Sequence, residues 1–352
     1  MGPSPAGEEE QVLIDAVPAA LDAAMMMCGL RLSRAVYVVA RLGIADLLRK
    51  GPMSCRKLAA RCGAHARSVY RVMRALSPFG FFIEDRKGRF ALGSVGLALC
   101  SDTADTLLPA VVAMGGEWHW RLWGDLFRSV QTGEPAWSRL FGADFIESCK
   151  TDRALGRMVN SSRSAIYTRS DEAVLDAYDF ARCRCVVEVA LQGGCGTLLA
   201  RILGKHIALR GVLYDLPAAL EGMPERLRAL GLEERCLVIG GDCRESVPAG
   251  GDAYLLRGVV HNLADETAVS VMRHCRGAMA EGGRLFVCEM LIPQGNGFFV
   301  GKLIDLESLL LTAGARERSE GELRALIEAA GFHVTKVIGT TVLLSVVEAT
   351  RD

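Results

Sequence analysis

The stretch Val186–Leu203, VVEVALQGGCGTLLARIL, has the form of a strand that enters a glycine turn and then a helix. Glycines in such a turn let the backbone approach a ligand where any Cβ would clash. Gly193, Gly194 and Gly196 are present, but Ala190-Leu191-Gln192 stand where a clean glycine loop begins. A GGxG turn alone also closes ordinary loops, so the acids that follow decide the chemistry. Asp215, in VLYDLP, ends the next strand and is placed to accept hydrogen bonds from two ribose hydroxyls in the same crevice. Asp242, in IGGDC, ends the third strand, beside the expected adenine. Two acids after successive strands favour a neutral or cationic adenosine and disfavour a pyrophosphate, which needs helix N-terminal amides and often a basic residue. No GxxxxGKS or GxxxxGKT phosphate loop occurs. S-adenosylmethionine therefore fits better than NAD or ATP.

Other reactive residues are fewer. His261 follows a strand, at the crevice, and histidine titrates close enough to neutrality to accept a proton from a hydroxyl. His119, between Trp118 and Trp120, is a candidate to face a substrate. No HxxxH, HxH or clustered carboxylate pattern points to a metal, so metal-independent chemistry is expected. Twelve cysteines are scattered without a CxxC pair. They read as small buried hydrophobes in a reducing compartment. Cys243 borders the expected cofactor site with no base beside it in sequence.

These residues need a frame to hold them. After Arg182 strands and helices alternate through CVVEVAL, GTLLARILGKH, LRGVLYDLP, MPERLRALGL, ERCLVIGGD, DAYLLRGVVHNL, DETAVSVMRHCRGAM and GGRLFVCEMLIP. That rhythm predicts an α/β, Rossmann-like doubly wound parallel sheet covered on both faces, with ligands beyond the strand C-termini. A helix, SEGELRALIEAAGF, and a hairpin through HVTKVIG and LLSVVEA close the chain. Upstream, apolar residues recur at helical intervals from Gln11 to about Arg49, and the nearly all-apolar run Ala23–Leu30 is expected to be buried, against a second copy. Helices over Cys55–Cys62 and Ala66–Leu76 and a hairpin turning at Lys87-Gly88 form a winged-helix pattern. Residues 1–10 read as disordered, 1–105 as an N-terminal helical domain, 106–180 as a helical connector holding all four tryptophans, and 181–352 as the catalytic domain.

The winged helix suggests DNA binding, but 41 Lys+Arg balance 41 Asp+Glu to a net charge of zero, which argues against nucleic acid and anionic membranes. No uninterrupted apolar run reaches the roughly 18 to 20 residues of a membrane span. The acidic opening GPSPAGEEE is unlike an export signal, so a cytoplasmic protein is expected.

The chain resembles the small-molecule O-methyltransferases of plants and bacteria, the caffeate, hydroxyindole and bacterial polyketide types. The resemblance rests on LAARCGAHARSVYRVMRAL, WGDLFRSVQTGEPAWSRLFG, YDLPAALEG, GDCRESVPAGGDAYLLRGVVHNLADE, AEGGRLFVCEMLIP and GKLIDLESLLLTAGARERSEGELRALIEAAGF, in that order over nearly the whole length. It implies a class I methyltransferase fold with a winged-helix-like dimerisation domain, a homodimer, S-adenosylmethionine as cofactor and a small hydroxylated aromatic or polyketide-like acceptor. Carried over by position, Asp215 would bind the ribose of the cofactor, Asp242 and Cys243 would flank the adenine, Leu216 belongs to the cofactor-binding set, and Arg257 takes a nearby basic position. His261 falls on the catalytic base, and Glu289 and Glu317 on the acids that orient it. Element placement gives a substrate wall of Met114, Trp118, His119, Trp120, Asn160 and Ile166, continued by Asp305, Leu306 and Leu309. The chain departs from the family's D-V-G-G-G-x-G turn by two extra residues before the glycines and by Gln192 in place of the first glycine. Asn262 and Leu263 replace the usual Asp and Trp. Some relatives keep this fold and cofactor yet hydroxylate, decarboxylate or cyclise, so loss of methyl transfer is the alternative reading.

Overall fold

The computed structural model describes residues 23–103, 105–193 and 196–351, so the readings of residues 1–10, Gly194 and Cys195 lie outside the described residues. The chain divides into two units, one ending at Gly115 and the other beginning at Gly116. Residues 106–115 of the expected connector thus fall in the first unit and residues 116–180 in the second.

In the first unit, helices Gly29–Arg41, Ile44–Leu48, Cys55–Cys62 and Ala66–Leu76 pack with a small sheet of order β1-β3-β2, namely β1 (Met53–Ser54), β2 (Phe82–Glu84) and β3 (Arg89–Leu92). The Ser54 hydroxyl accepts from Lys57 N–H and caps the third of these helices. Asp85 accepts from the N–H groups of Lys87 and Arg89, which fixes the hairpin turn. Ile44, Leu58, Met73, Leu76, Phe82 and Phe90 make the core, each burial stabilising by about 1.5–3 kcal/mol. The methionine run expected inside lies outside in the single chain, with Met25, Met26 and Met27 56%, 80% and 74% exposed. The helix Ala23–Arg41 has the length and composition to cross a membrane, contrary to the expectation that no apolar run is long enough.

The second unit holds a seven-stranded sheet of order β6-β5-β4-β7-β8-β10-β9. Its strands are β4 (Cys185–Val189), β5 (Arg210–Asp215), β6 (Cys236–Gly240), β7 (Ala253–Arg257), β8 (Arg284–Met290), β9 (His333–Gly339) and β10 (Leu344–Thr350). The first five run parallel, and β10 lies antiparallel between β8 and β9. Alternate residues feed two cores, as the two-residue period of a strand requires. Val187, Val212, Leu256 and Val287 face the helices Asp265–Ala278 and Glu320–Ala329. Val186, Leu213, Leu255 and Phe286 face Thr197–Lys205 and Met223–Ala229. A 25-residue helix, Arg153–Ala177, is capped by Asp152, whose carboxylate accepts from Ala154 and Leu155 N–H. The C-terminal ends of β4, β5, β6, β7 and β8 lie along one edge. That is where ligands bind in this class of sheet.

Candidate active site

The loop after β7 forms a short 3-10 turn, Val260–Asn262, that sets His261 at this edge. The strand β8 delivers Glu289 beside it. His261 Nδ1 lies 2.8 Å from Glu289 Oε2, while Glu289 Oε1 accepts from the N–H groups of Val260 at 2.7 Å and His261 at 3.3 Å. The carboxylate thus grips both the imidazole and the turn that carries it. With Nδ1–H donated to Glu289, Nε2 is the lone-pair nitrogen, the tautomer a general base needs. Burial opposes the imidazolium, but the charge and hydrogen bond of Glu289 outweigh it and raise the His261 pKa above the usual histidine value.

Glu317 joins the pair, since one ligand atom from each of His261, Glu289 and Glu317 lies within 4.8 Å of the others. Its side chain is buried and neither carboxylate oxygen has a hydrogen-bond partner among the described residues. Burial pushes its pKa up to about 7, partly offset by His261 and reinforced by Glu289 and Asp305. The Asp305 carboxylate accepts from Glu317 N–H at 2.7 Å and ties the helix Gly301–Leu311 to the cluster. Arg318 locks the same loop by donating to the carbonyls of Val260 and Leu263. The space between these groups is about 10 Å³, room for roughly one water molecule.

The turn after β4 is built around Asp215. This carboxylate is 1% exposed. Its Oδ1 accepts from Gln192 N–H and Leu216 N–H, both at 2.7 Å, and its Oδ2 from Gly193 N–H at 3.3 Å. The expectation was a carboxylate turned to a sugar. The structure shows one held by the turn's own amides. Arg163, unremarked in the sequence, spans this region. It donates to the carbonyls of Leu191 and Gln192 and to Asn262 Oδ1, joining the turn to the loop of His261. A Cβ on Gly193 would stand 2.4 Å from Arg163 Cδ, so any side chain there would have to displace Arg163. Gly196, at φ +59°, starts the helix Thr197–Lys205 against Leu213 and Met223. Glu188, fully buried in β4, accepts from Leu199 N–H, and burial raises it to about 8.

Leu216 and Cys243 are both buried in the apolar cluster that also holds Ile146 and Leu191. Asp242 binds Lys150 Nζ at 2.6 Å and Arg244 Nη2 at 2.7 Å. Burial pulls its pKa up, yet these hydrogen bonds more than offset that and leave it well below the usual carboxylate range. Arg257 is buried, ion-pairs with Asp171, donates to Thr197 Oγ1 at 3.0 Å and stacks over the Tyr167 ring. Burial lowers its pKa to about 10, which still leaves it charged at neutral pH.

Of the expected wall, Trp118, His119, Trp120 and Asn160 lie in the second unit with Ile166, Asp305, Leu306 and Leu309, whereas Met114, 45% exposed, closes the last helix of the first. Asn160 donates to Ala219 O at 3.0 Å. Trp120 and Ile166 are each 44% exposed, and Leu306 and Leu309 are half-buried. His119 Nε2 meets both oxygens of Glu307 at 3.0 and 2.9 Å, and Trp123 Nε1 donates to Glu307 Oε2 at 3.3 Å. Sequence reasoning missed Glu307, Arg163 and Lys150. Spacing offers one retrospective signal: Arg163 falls one turn after Asn160 on the same helix.

Comparison with known proteins narrows the chemistry. A family model of the O-methyltransferase domain matches residues 123–333, and one of the O-methyltransferase dimerisation domain matches residues 25–102. The chain is 36% identical to phenazine O-methyltransferase PhzM of Lysobacter antibioticus over 334 residues, 95% of this chain and 97% of that one. It is 30% identical to aclacinomycin 10-hydroxylase RdmB of Streptomyces purpurascens, over 88% of this chain and 84% of that one. Among solved structures, the O-methyltransferase NcsB1 from neocarzinostatin biosynthesis, in complex with S-adenosylmethionine and 2-hydroxy-5-methyl naphthoic acid, superposes with a TM-score of 0.76. The two chains are 30% identical, with 91% of this one and 96% of that one covered. A sheet edge carrying a carboxylate-held histidine, in a chain so matched over both its parts, belongs to the O-methyltransferase family.

Proposed function

We propose that this enzyme transfers a methyl group from S-adenosylmethionine to a hydroxyl of a flat aromatic or polyketide-like small molecule, with His261 as the general base. The single observation that carries this reading is the 2.8 Å contact between His261 Nδ1 and Glu289 Oε2 at the sheet edge. S-adenosylmethionine is the cofactor, and it supplies a methyl group activated by a sulfonium. In residue type the donor set fits the adenosyl group: an acid ends β5 and another follows β6, Gly193 and Gly196 keep Cβ atoms out of the turn, and Leu216 and Cys243 offer apolar flanks. Asp215 would hold the ribose hydroxyls, Asp242 and Cys243 would border the adenine, and the Gly193, Gly194 and Gly196 backbone would lie along the cofactor.

His261 Nε2 takes the acceptor's hydroxyl proton as the oxygen attacks in line. Glu289 holds the imidazole and stabilises the imidazolium. Glu317 adds a second carboxyl within reach of the positive ring. Arg257 is assigned to the same edge as a fixed positive charge that orders Asp171 and Thr197. The substrate wall is assigned to the tryptophans and His119 of the connector and to Asp305, Leu306 and Leu309. Dimerisation is assigned to residues 1–105, whose exposed Met25, Met26 and Met27 would be covered by a second copy to give a homodimer. A cytoplasmic location, with neither nucleic acid nor membrane as partner, completes the reading.

A second reading, a methyltransferase fold turned to hydroxylation, decarboxylation or cyclisation, is favoured by one observation: Asp215 is engaged by Gln192 and Gly193 N–H. The test is a methyl-transfer assay on hydroxylated phenazines, naphthoates and benzoates, together with calorimetry of S-adenosylmethionine. Micromolar binding with methylated product is the expected result. His261→Ala should lower turnover at least about a hundredfold while calorimetric binding persists. Unchanged turnover in that variant would place the base elsewhere.

A further inference from the structure

Three features of the turn after β4 are not used by the chemistry above. Gln192 has φ +60° and is the one non-glycine residue with positive φ among the described residues. An L side chain is strained in that region. Its side-chain amide is buried, 1% exposed, yet neither Nε2 nor Oε1 has a hydrogen-bond partner among the described residues. It is pressed toward the helix Arg153–Ala177, where a Cβ on Gly156 would stand 3.1 Å from Nε2. Leu191, 2% exposed, is buried in the cluster with Leu216 and Cys243, the two apolar flanks assigned to the adenosyl group.

The backbone of the same turn holds both oxygens of Asp215, through Gln192 N–H at 2.7 Å and Gly193 N–H at 3.3 Å. A ribose diol offers two O–H donors to those same two oxygens. We propose that the turn Ala190–Gly193 competes with the adenosyl group for one place: its amides hold Asp215 in the resting chain, and cofactor binding replaces them with ribose hydroxyls as the turn moves outward. This rests on S-adenosylmethionine being the cofactor. Leu191 anchors the inward state by burial. Gln192 opposes it, because outward movement relieves the strained backbone and returns the amide to water. The two residues set cofactor affinity by setting how much of the protein is open, since observed affinity scales with the competent fraction.

The test uses the full-length protein, S-adenosylhomocysteine as an unreactive probe, calorimetry, and hydrogen exchange resolved at the turn. Leu191→Ala, which weakens the inward state, should bind the probe about tenfold tighter or more. In the unaltered protein the Gln192 and Gly193 amides should exchange faster on binding, opposite to the usual protection by a ligand. Thermal unfolding confirms that the variant is folded, and the exchange result stands without it. If Leu191→Ala binds no tighter, or if these amides slow on binding, the competition is overturned while the cofactor assignment survives. If neither protein binds at millimolar probe, both fall.

Discussion

Replacing Glu289 by glutamine tests the base and its support in one step. The carboxylate accepts three hydrogens, from Val260 N–H, His261 N–H and His261 Nδ1–H. A glutamine of the same shape keeps one oxygen for the two backbone donors. Its NH2 group then faces Nδ1, which must become the acceptor. The proton moves to Nε2, where the base needs a lone pair. The lost charge-assisted bond amounts to about 2–3 kcal/mol, a fall in turnover of roughly 30- to 150-fold. The pH profile gives a second readout. With His261 as the proposed base its neutral form is the active one, so rate rises with pH through its pKa, which Glu289 raises above the usual value. Without that charge, burial dominates and the rise moves to lower pH. Steady-state methyl transfer across pH, with calorimetry of the cofactor, measures both effects. Turnover within threefold of the parent, or an unmoved profile, would refute the assignment.

Other expectations follow from the same geometry. Glu317 is raised to about 7 in the fold, so the folded state binds the extra proton between about pH 4.5 and 7 and loses stability as pH rises through that window. Glu317→Gln should therefore gain in melting temperature relative to the parent from pH 5 to pH 8; a constant difference would contradict the burial of this carboxyl. Asp171→Ala removes the carboxylate that ion-pairs with the buried Arg257, at a cost of about 3–5 kcal/mol, or roughly 10 °C in Tm. Adding Arg257→Met should recover much of that, and failure to recover would mean the pair is not what was lost. Glu307→Ala frees His119 and Trp123 from their shared acceptor and should raise KM for the acceptor molecule several-fold with little change in cofactor binding. Equal effects on both would remove this pair from the substrate wall.

Local signals carried the frame. The spacing in CRKLAARC and ARSVYRVMRAL gave both helices to their observed ends, Cys55–Cys62 and Ala66–Leu76, because each has a short amphipathic period and a clear boundary. The parallel strands were legible as apolar runs between helices. The His261–Glu289 contact was not, since 28 residues separate the partners and no period links them. It came only from a resemblance. Likewise Lys150–Asp242 and His119–Glu307 join distant elements, and charge alone does not say which acid a lysine or histidine will meet. Gln192 was visible as an anomaly, but whether its side chain would turn to solvent or inward depended on packing against Gly156. The apolar start of the helix Ala23–Arg41 reads as a buried surface, yet in the single chain its methionines are exposed.

The strand Leu344–Thr350 lies inside the sheet, although it follows every other described strand in the sequence. Seven of its residues pair with β8, the strand that bears Glu289. Until it arrives, that strand offers an open row of backbone donors and acceptors beside Phe286 and Cys288, an invitation to pair with another nascent chain. A chain that stops short of Leu344 should accumulate as aggregate, however sound its upstream sequence. Assembly of the sheet is thus gated by the arrival of this strand, and insertions between β9 and β10 that delay its docking should depress the yield of active enzyme.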